Sequence, residues 1–169
     1  MQIEKKQLSD TESILFFTHP LSMVGTSIAT KNIPASLEIL KNIFDTEIAN
    51  TVLLTSDFIY IKSNTAENLL DLEMLSLAEI DDVTNQKIQL IASANNTHEK
   101  VEIILKTIVA PFLQKDGGDI RLAQYSNNIV YVNFLGKCHG CPYAQRTLKE
   151  RVEKNLITYL PHITEAKLV

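Results

Sequence analysis

The chain has 169 residues, of which 45% are hydrophobic and 21% charged, with a net charge of −4. That length suits one ordinary domain or two small ones, and no apolar run approaches what is needed to span a membrane. The charge is uneven: residues 1–97 carry six basic and thirteen acidic side chains, a balance of −7, and residues 98–169 carry ten and seven, a balance of +3. A surplus of +3 is too small to argue nucleic-acid binding, but the shift supports a domain boundary. The opening MQIEKKQLSDTES is polar and contains Glu4, Asp10 and Glu12. It has neither the apolar centre of a signal peptide nor the Arg-rich, acid-poor character of a transit peptide. The expectation is a cytoplasmic protein with no membrane partner, where a disulfide is not the default state.

In the first half, SILFF (Ser13–Phe17) is rich in β-formers and ends at His19-Pro20. GTSIAT (Gly25–Thr30) is expected to be its partner strand. PASLEILKNIF (Pro34–Phe44) puts Leu37, Leu40, Ile43 and Phe44 on one helical stripe, with Pro34 suited to the first turn. TVLL and FIYI flank Thr55-Ser56-Asp57 and read as a hairpin. From Thr65 to about Ala94 the pattern is helical, in two pieces separated near Asp81-Asp82. SANNTHE (Ser93–Glu99) is the expected boundary, giving domains 1–94 and 95–169.

In the second half, Asn96 is a good helix cap with Glu99 three residues later. Val101, Ile104, Leu105, Ile108 and Phe112 share a helical face. Pro111 should kink the last turn, because its ring opposes the carbonyl of Thr107, and Gly117-Gly118 permits a tight exit. DIRLAQY and IVYVNFL flank Ser126-Asn127-Asn128 and predict a β-hairpin. A helix is expected from Pro142, with Ala144, Leu148, Val152, Leu156 and Tyr159 on one face, and ITEAKLV as a final strand. The fold class is therefore α+β with two small domains. The C-terminal domain has the order α-β-β-α-β, its two helices packed on a small mixed sheet.

The chain's two cysteines, Cys138 and Cys141, stand in GKCHGCPYAQRTLKE (Gly136–Glu150) at the expected strand-to-helix turn. Free amides and the positive end of a helix dipole there favour thiolate over thiol, and Lys137 and Arg146 add positive charge. Several chemistries are compatible with this pair. Two inert buried cysteines are the plainest. A dithiol–disulfide oxidoreductase is a second, although an antiparallel hairpin precedes the pair here rather than the strand of a βαβ unit. Zinc needs two further ligands, and His19, His98, His139 and His162 lack the paired spacing that would supply them. Attachment of a c-type haem wants His after the second cysteine, where Pro142 stands. A cubane iron–sulfur cluster takes four thiolates, which two copies of the chain would provide about a twofold axis.

The stretch His98–Val169, with PFLQKDGGDI, GKCHGCP and TLKERVE in that order, resembles the C-terminal domain of NifU-like proteins, the Nfu family. The first half looks like the N-terminal domain of Nfu proteins, through SILFF and LLTSDFIYIKS. It departs from that pattern in lacking a Pro-Asn-Pro stretch and in its helical segment after Ser63. The resemblance implies a non-enzymatic scaffold or carrier, with Cys138 and Cys141 ligating a [4Fe-4S] cluster that bridges two subunits. It implies as partners a second copy of the chain, upstream assembly proteins and apo target proteins. Gly117, Gly118, Gly136, Gly140 and Pro142 match motif positions that shape the backbone. The acidic N-terminal domain would help to recognise partners.

Overall fold

The computed structural model describes residues 3–24, 26–30, 38–86, 90–91 and 96–169. The chain divides into two compact units, Met1–Ala94 and Asn95–Val169. Both mix helices with sheets, so the α+β class holds.

In the first unit the strands β1 (Ile3–Ser9), β2 (Glu12–Phe17), β4 (Ser27–Thr30), β5 (Ala49–Leu54) and β6 (Phe58–Ser63) form an antiparallel sheet in the order β1-β2-β6-β5-β4. The hairpin at Thr55-Ser56-Asp57 forms as expected. Thr55 closes it by accepting, at its side-chain oxygen, the backbone N–H groups of Asp57 and Phe58. The expected pairing of Gly25–Thr30 with β2 does not occur. β4 pairs with β5 at the far edge, because β1 and β6 already occupy both sides of β2. Gly25 lies outside the described residues, as does the Pro34–Leu37 portion of the expected first helix. The described helix α1 runs Glu38–Phe44 and buries Leu40 and Ile43.

β1 carries no hydrophobic alternation and is largely exposed, so nothing in its composition announces a strand. It is an edge strand, and its Glu4, Lys5 and Lys6 discourage another chain from pairing with it. Lys5 bridges to Glu73 of α2 (Leu69–Gln86) at 2.6 Å. That helix runs without a break through Asp81, against the expectation of two pieces. Fully buried Ile80 anchors the turn there, and aspartate in an exposed helical position costs only a few tenths of a kcal/mol. The expected helical continuation toward Ala94 is replaced by β7 (Leu90–Ile91), which pairs in parallel with β3 (Met23–Val24). Residues 87–89 and 92–95 lie outside the described set.

In the second unit β8 (Gly118–Ser126) and β9 (Ile129–Gly136) form the expected hairpin, and β10 (Glu165–Leu168) pairs in parallel with the first residues of β9. The turn is Asn127-Asn128 alone, both with positive φ, the geometry that asparagine tolerates best after glycine. The first helical run is α3 (Thr97–Ile104), a π-helical segment Leu105–Val109 and α4 (Ala110–Gln114). The second is α5 (Ala144–Thr147), a π-helical segment Leu148–Glu153 and α6 (Lys154–Tyr159).

Two expectations for the first run are corrected. Asn96 occupies the cap position but adopts left-handed angles (φ 59°, ψ 40°) and makes no side-chain cap bond. Its carbonyl instead accepts the N–H of Lys100. The predicted apolar face holds through Leu105 and then slips by one residue. Val109, Ala110 and Leu113 are buried, whereas Ile108 is half-buried and Phe112 exposed. The π segment is the cause, since its wider turn adds a residue and rotates everything after it. Pro111 follows directly. An α-helical turn would have opposed its ring to the Thr107 carbonyl, and the bond from Ala110 N–H reaches back five residues to Leu105 O instead. In the second run Leu148, Val152 and Leu156 recur every four residues, and all three are buried, as expected of one helical face.

Two features of this unit generate tests. Gly136 has φ 59°, and a Cβ there would stand 2.5 Å from the Gly117 carbonyl oxygen. Gly136→Ala should destabilise the C-terminal unit by about 1–3 kcal/mol, read by urea denaturation of the whole chain. Lys100, 2% exposed, has its ammonium pushed down to about 8 by burial. The folded state therefore holds this proton less tightly than the unfolded one. Its contribution rises as pH climbs from about 8 toward the ordinary lysine value and is lost as pH falls back. Lys100→Met should add about 1–3 kcal/mol at pH 7 and distinctly less at pH 9.5; an equal gain at both would contradict this account.

Candidate functional site

β9 delivers the chain to Gly136, and a tight turn carries it back toward the second helical run. Lys137 N–H donates to the Gly117 carbonyl at 3.1 Å, Cys138 N–H to Leu135 at 3.3 Å, and His139 N–H to Gly136 at 3.1 Å. Cys141 N–H then donates to the Cys138 carbonyl at 3.4 Å, and Ala144 N–H to Cys141 at 3.0 Å. The two cysteines are thus held on consecutive, interlocked turns. Both are free thiols and both are half-buried.

Gly118 sets the position of the first sulfur. It pairs with Gly136 across the hairpin, and any Cβ at Gly118 would overlap the Cys138 sulfur. Cys138 therefore rests on bare backbone, with its inner side against the apolar core of the unit. Gly140 has φ 71° and open space around it, so its role is conformational.

The helix begins at Ala144 rather than at Pro142, and Pro142-Tyr143 form the turn before it. The electrostatics also differ from the expectation of a thiolate-favouring pocket. The Cys138 thiol is pushed up, first by burial and then by Cys141, Asp116 and Asp119. The expected cations are not arrayed around the sulfurs. Arg146 is bonded to Glu150 at 2.9 Å. The aliphatic stem of Lys137 lies along Gly117, within 3.3–3.7 Å of where a Cβ would be. Asp116 and Asp119, within the quoted PFLQKDGGDI, carried the signal that sequence reasoning passed over.

The histidines do not gather at the cysteines. His19 meets Thr18, and His98 lies 3.9 Å from Glu102. His162 Nε2 is 2.9 Å from Thr97 Oγ1, and burial with the nearby Lys100 holds its pKa down. His139 is exposed on the turn itself. Among the described residues, no group of three or more His, Cys, Asp or Glu side chains could hold a metal ion. The site is a pair of free, half-buried thiols on one turn.

Comparison with known proteins locates a NifU-like domain at residues 101–167. The chain is 27% identical over 141 residues to the NFU1 iron-sulfur cluster scaffold homolog, mitochondrial, of Drosophila willistoni, covering 76% of this chain and 49% of that protein. It is 32% identical over 120 residues to the Fe/S biogenesis protein NfuA of Haemophilus influenzae, covering 62% and 61%. It is 39% identical over 67 residues to NifU-like protein 2, chloroplastic, of Arabidopsis thaliana, covering 40% and 28%. The chain thus spans about half the length of the Drosophila relative and less of the Arabidopsis one. Residues 101–167 thus match the NifU-like domain, and the chain as a whole is similar to proteins named for iron-sulfur cluster scaffolding and Fe/S biogenesis.

Proposed function

We propose that the protein is an iron–sulfur cluster scaffold and carrier, whose cargo is a [4Fe-4S] cluster held between two copies by Cys138 and Cys141 of each. The observation that carries this reading is the incomplete donor set. Two thiols share one turn, and the described residues supply no third ligand beside them. A cubane cluster takes four thiolates, and a twofold axis supplies them without a new ligand type. The names of the relatives, a cluster scaffold and an Fe/S biogenesis protein, support the same assignment.

The chain's own residues do three things in this reading. Gly118 lets Cys138 sit close to the hairpin, the turn presents both sulfurs at one surface, and the core behind Cys138 excludes water from one side. Loading couples to association, because neither copy completes the site alone. Upstream assembly proteins would deliver the cargo, and cysteines of apo acceptor proteins would take it by stepwise ligand exchange, with no turnover chemistry. The acidic first unit, domain 1–94, serves partner recognition, and domain 95–169 holds the cargo. No described helix is long and apolar enough to cross a membrane. The reading puts the protein in the cytoplasm, where thiols stay reduced.

Anaerobic reconstitution of the chain with iron and sulfide should give a brown protein carrying both in equal amounts and eluting as a larger species. Cys141→Ser should lose the cargo while keeping its circular dichroism. Gly118→Ala, which displaces the Cys138 sulfur, should lower retention severalfold. A colourless monomer with a measurable dithiol–disulfide potential would instead favour an oxidoreductase. Stoichiometric zinc in the colourless protein would favour a zinc-binding interaction module.

A further inference from the structure

The charges around the cysteine turn bear on how the cargo leaves. Asp116 and Asp119 bracket Gly117-Gly118, and the Cys138 sulfur rests on Gly118. Gln114 Nε2 is 3.4 Å from Asp119 Oδ1, which also accepts the N–H of Ile120 at 2.9 Å. Both donors are neutral. Among the described residues neither carboxylate forms an ion pair, although Lys115 precedes Asp116 in the chain and the Lys137 stem lies along Gly117. The other cation of the stretch, Arg146, is committed to Glu150.

A [4Fe-4S] core with four thiolates carries a net charge of about −2. Like charges within a Debye length of a half-exposed site repel by an amount that survives partial screening. We propose that Asp116 and Asp119 set how readily the cluster departs: two carboxylates that form no ion pair among the described residues, flanking the glycines under the Cys138 turn, repel an anionic load and keep its retention low. The upward push of the same two groups on the Cys138 thiol is consistent with their reach. This inference rests on the cargo reading above and gives that site a direction. Each step of departure breaks one iron–sulfur bond to Cys138 or Cys141 and makes one to an acceptor cysteine. The acceptor's proton passes to the departing thiolate, so no electron is gained or lost. Repulsion weakens the bond being broken without hindering an acceptor that carries the load away from the two aspartates.

The test compares wild-type protein with Asp116→Asn, Asp119→Asn and the double variant, all reconstituted anaerobically. Decay of cluster absorbance is followed after adding a chelator. The double variant should hold its cluster about three- to tenfold longer at low salt, and Asp116→Glu with Asp119→Glu should match the wild type. Raising the salt concentration should lengthen retention in the wild type and change it little in the double variant, a reading that needs no comparison of folds. Cobalt(II) titration of the unloaded proteins is the second readout. Two thiols that bind Co²⁺ and release two protons leave the local charge unchanged, so its affinity should be the same in every variant, whereas structural damage would weaken it. Equal or faster cluster loss in the double variant, or a wild type indifferent to salt, would overturn the role of the two aspartates alone. A wild type that takes up no iron and sulfide would overturn the cargo reading and this inference together.

Discussion

The seating of the Cys138 sulfur on the bare backbone of Gly118 is the constraint from which the rest of the C-terminal unit follows. A sulfur can approach a strand that closely only where the strand has no side chain, so the first residue of β8 must be glycine. Its cross-strand partner, Gly136, must in turn take a positive φ and crowd the Gly117 carbonyl, which excludes a Cβ there as well. The carbonyl of Gly117 then receives Lys137 N–H and fixes the start of the turn. Three glycines and one thiol thus form a single packed object. The hairpin positions the sulfur, and the sulfur in turn covers the hairpin's open end.

The helices answer to a different constraint, the phase of their apolar faces. Each long run contains one π-helical segment. In the first run it absorbs Pro111 and turns Phe112 outward, where the Arg151 guanidinium covers its ring at 4.2 Å. In the second it lies along the buried face of Leu148, Val152 and Leu156.

Much of this was legible from residue order. Runs of β-formers flanking turn residues announced β2, β5, β6, β8 and β9, and the paired cysteines between a strand and a helix announced the site. What escaped had physical reasons. β1 is polar on nearly every side because it is an edge strand, so it offers no hydrophobic alternation to detect. The choice of β6 rather than β4 as the neighbour of β2 depends on tertiary competition that no local pattern records. The slip of the first helical face depends on a backbone widening that 3.6-residue counting cannot express. The site's charge was misjudged for a similar reason. Lys137 and Arg146 are near the cysteines in sequence, but one is stretched along a glycine and the other is held by Glu150, while Asp119 comes from the opposite strand of the hairpin and Asp116 from the turn that leads into it.

The two ends of β9 have different attachments. Its first residues, Ile129–Val132, are flanked by strands on both sides, with β10 alongside them. Its last residues are paired on one side only, and beyond Gly136 the cysteine turn is held by separate hydrogen bonds of 3.0–3.4 Å. Local opening of a protein begins where backbone bonds are few and unshared. The strand can therefore act as an anchored hinge plate: the cysteine turn at one end can open locally, while the three-stranded ladder at the other end keeps the domain folded.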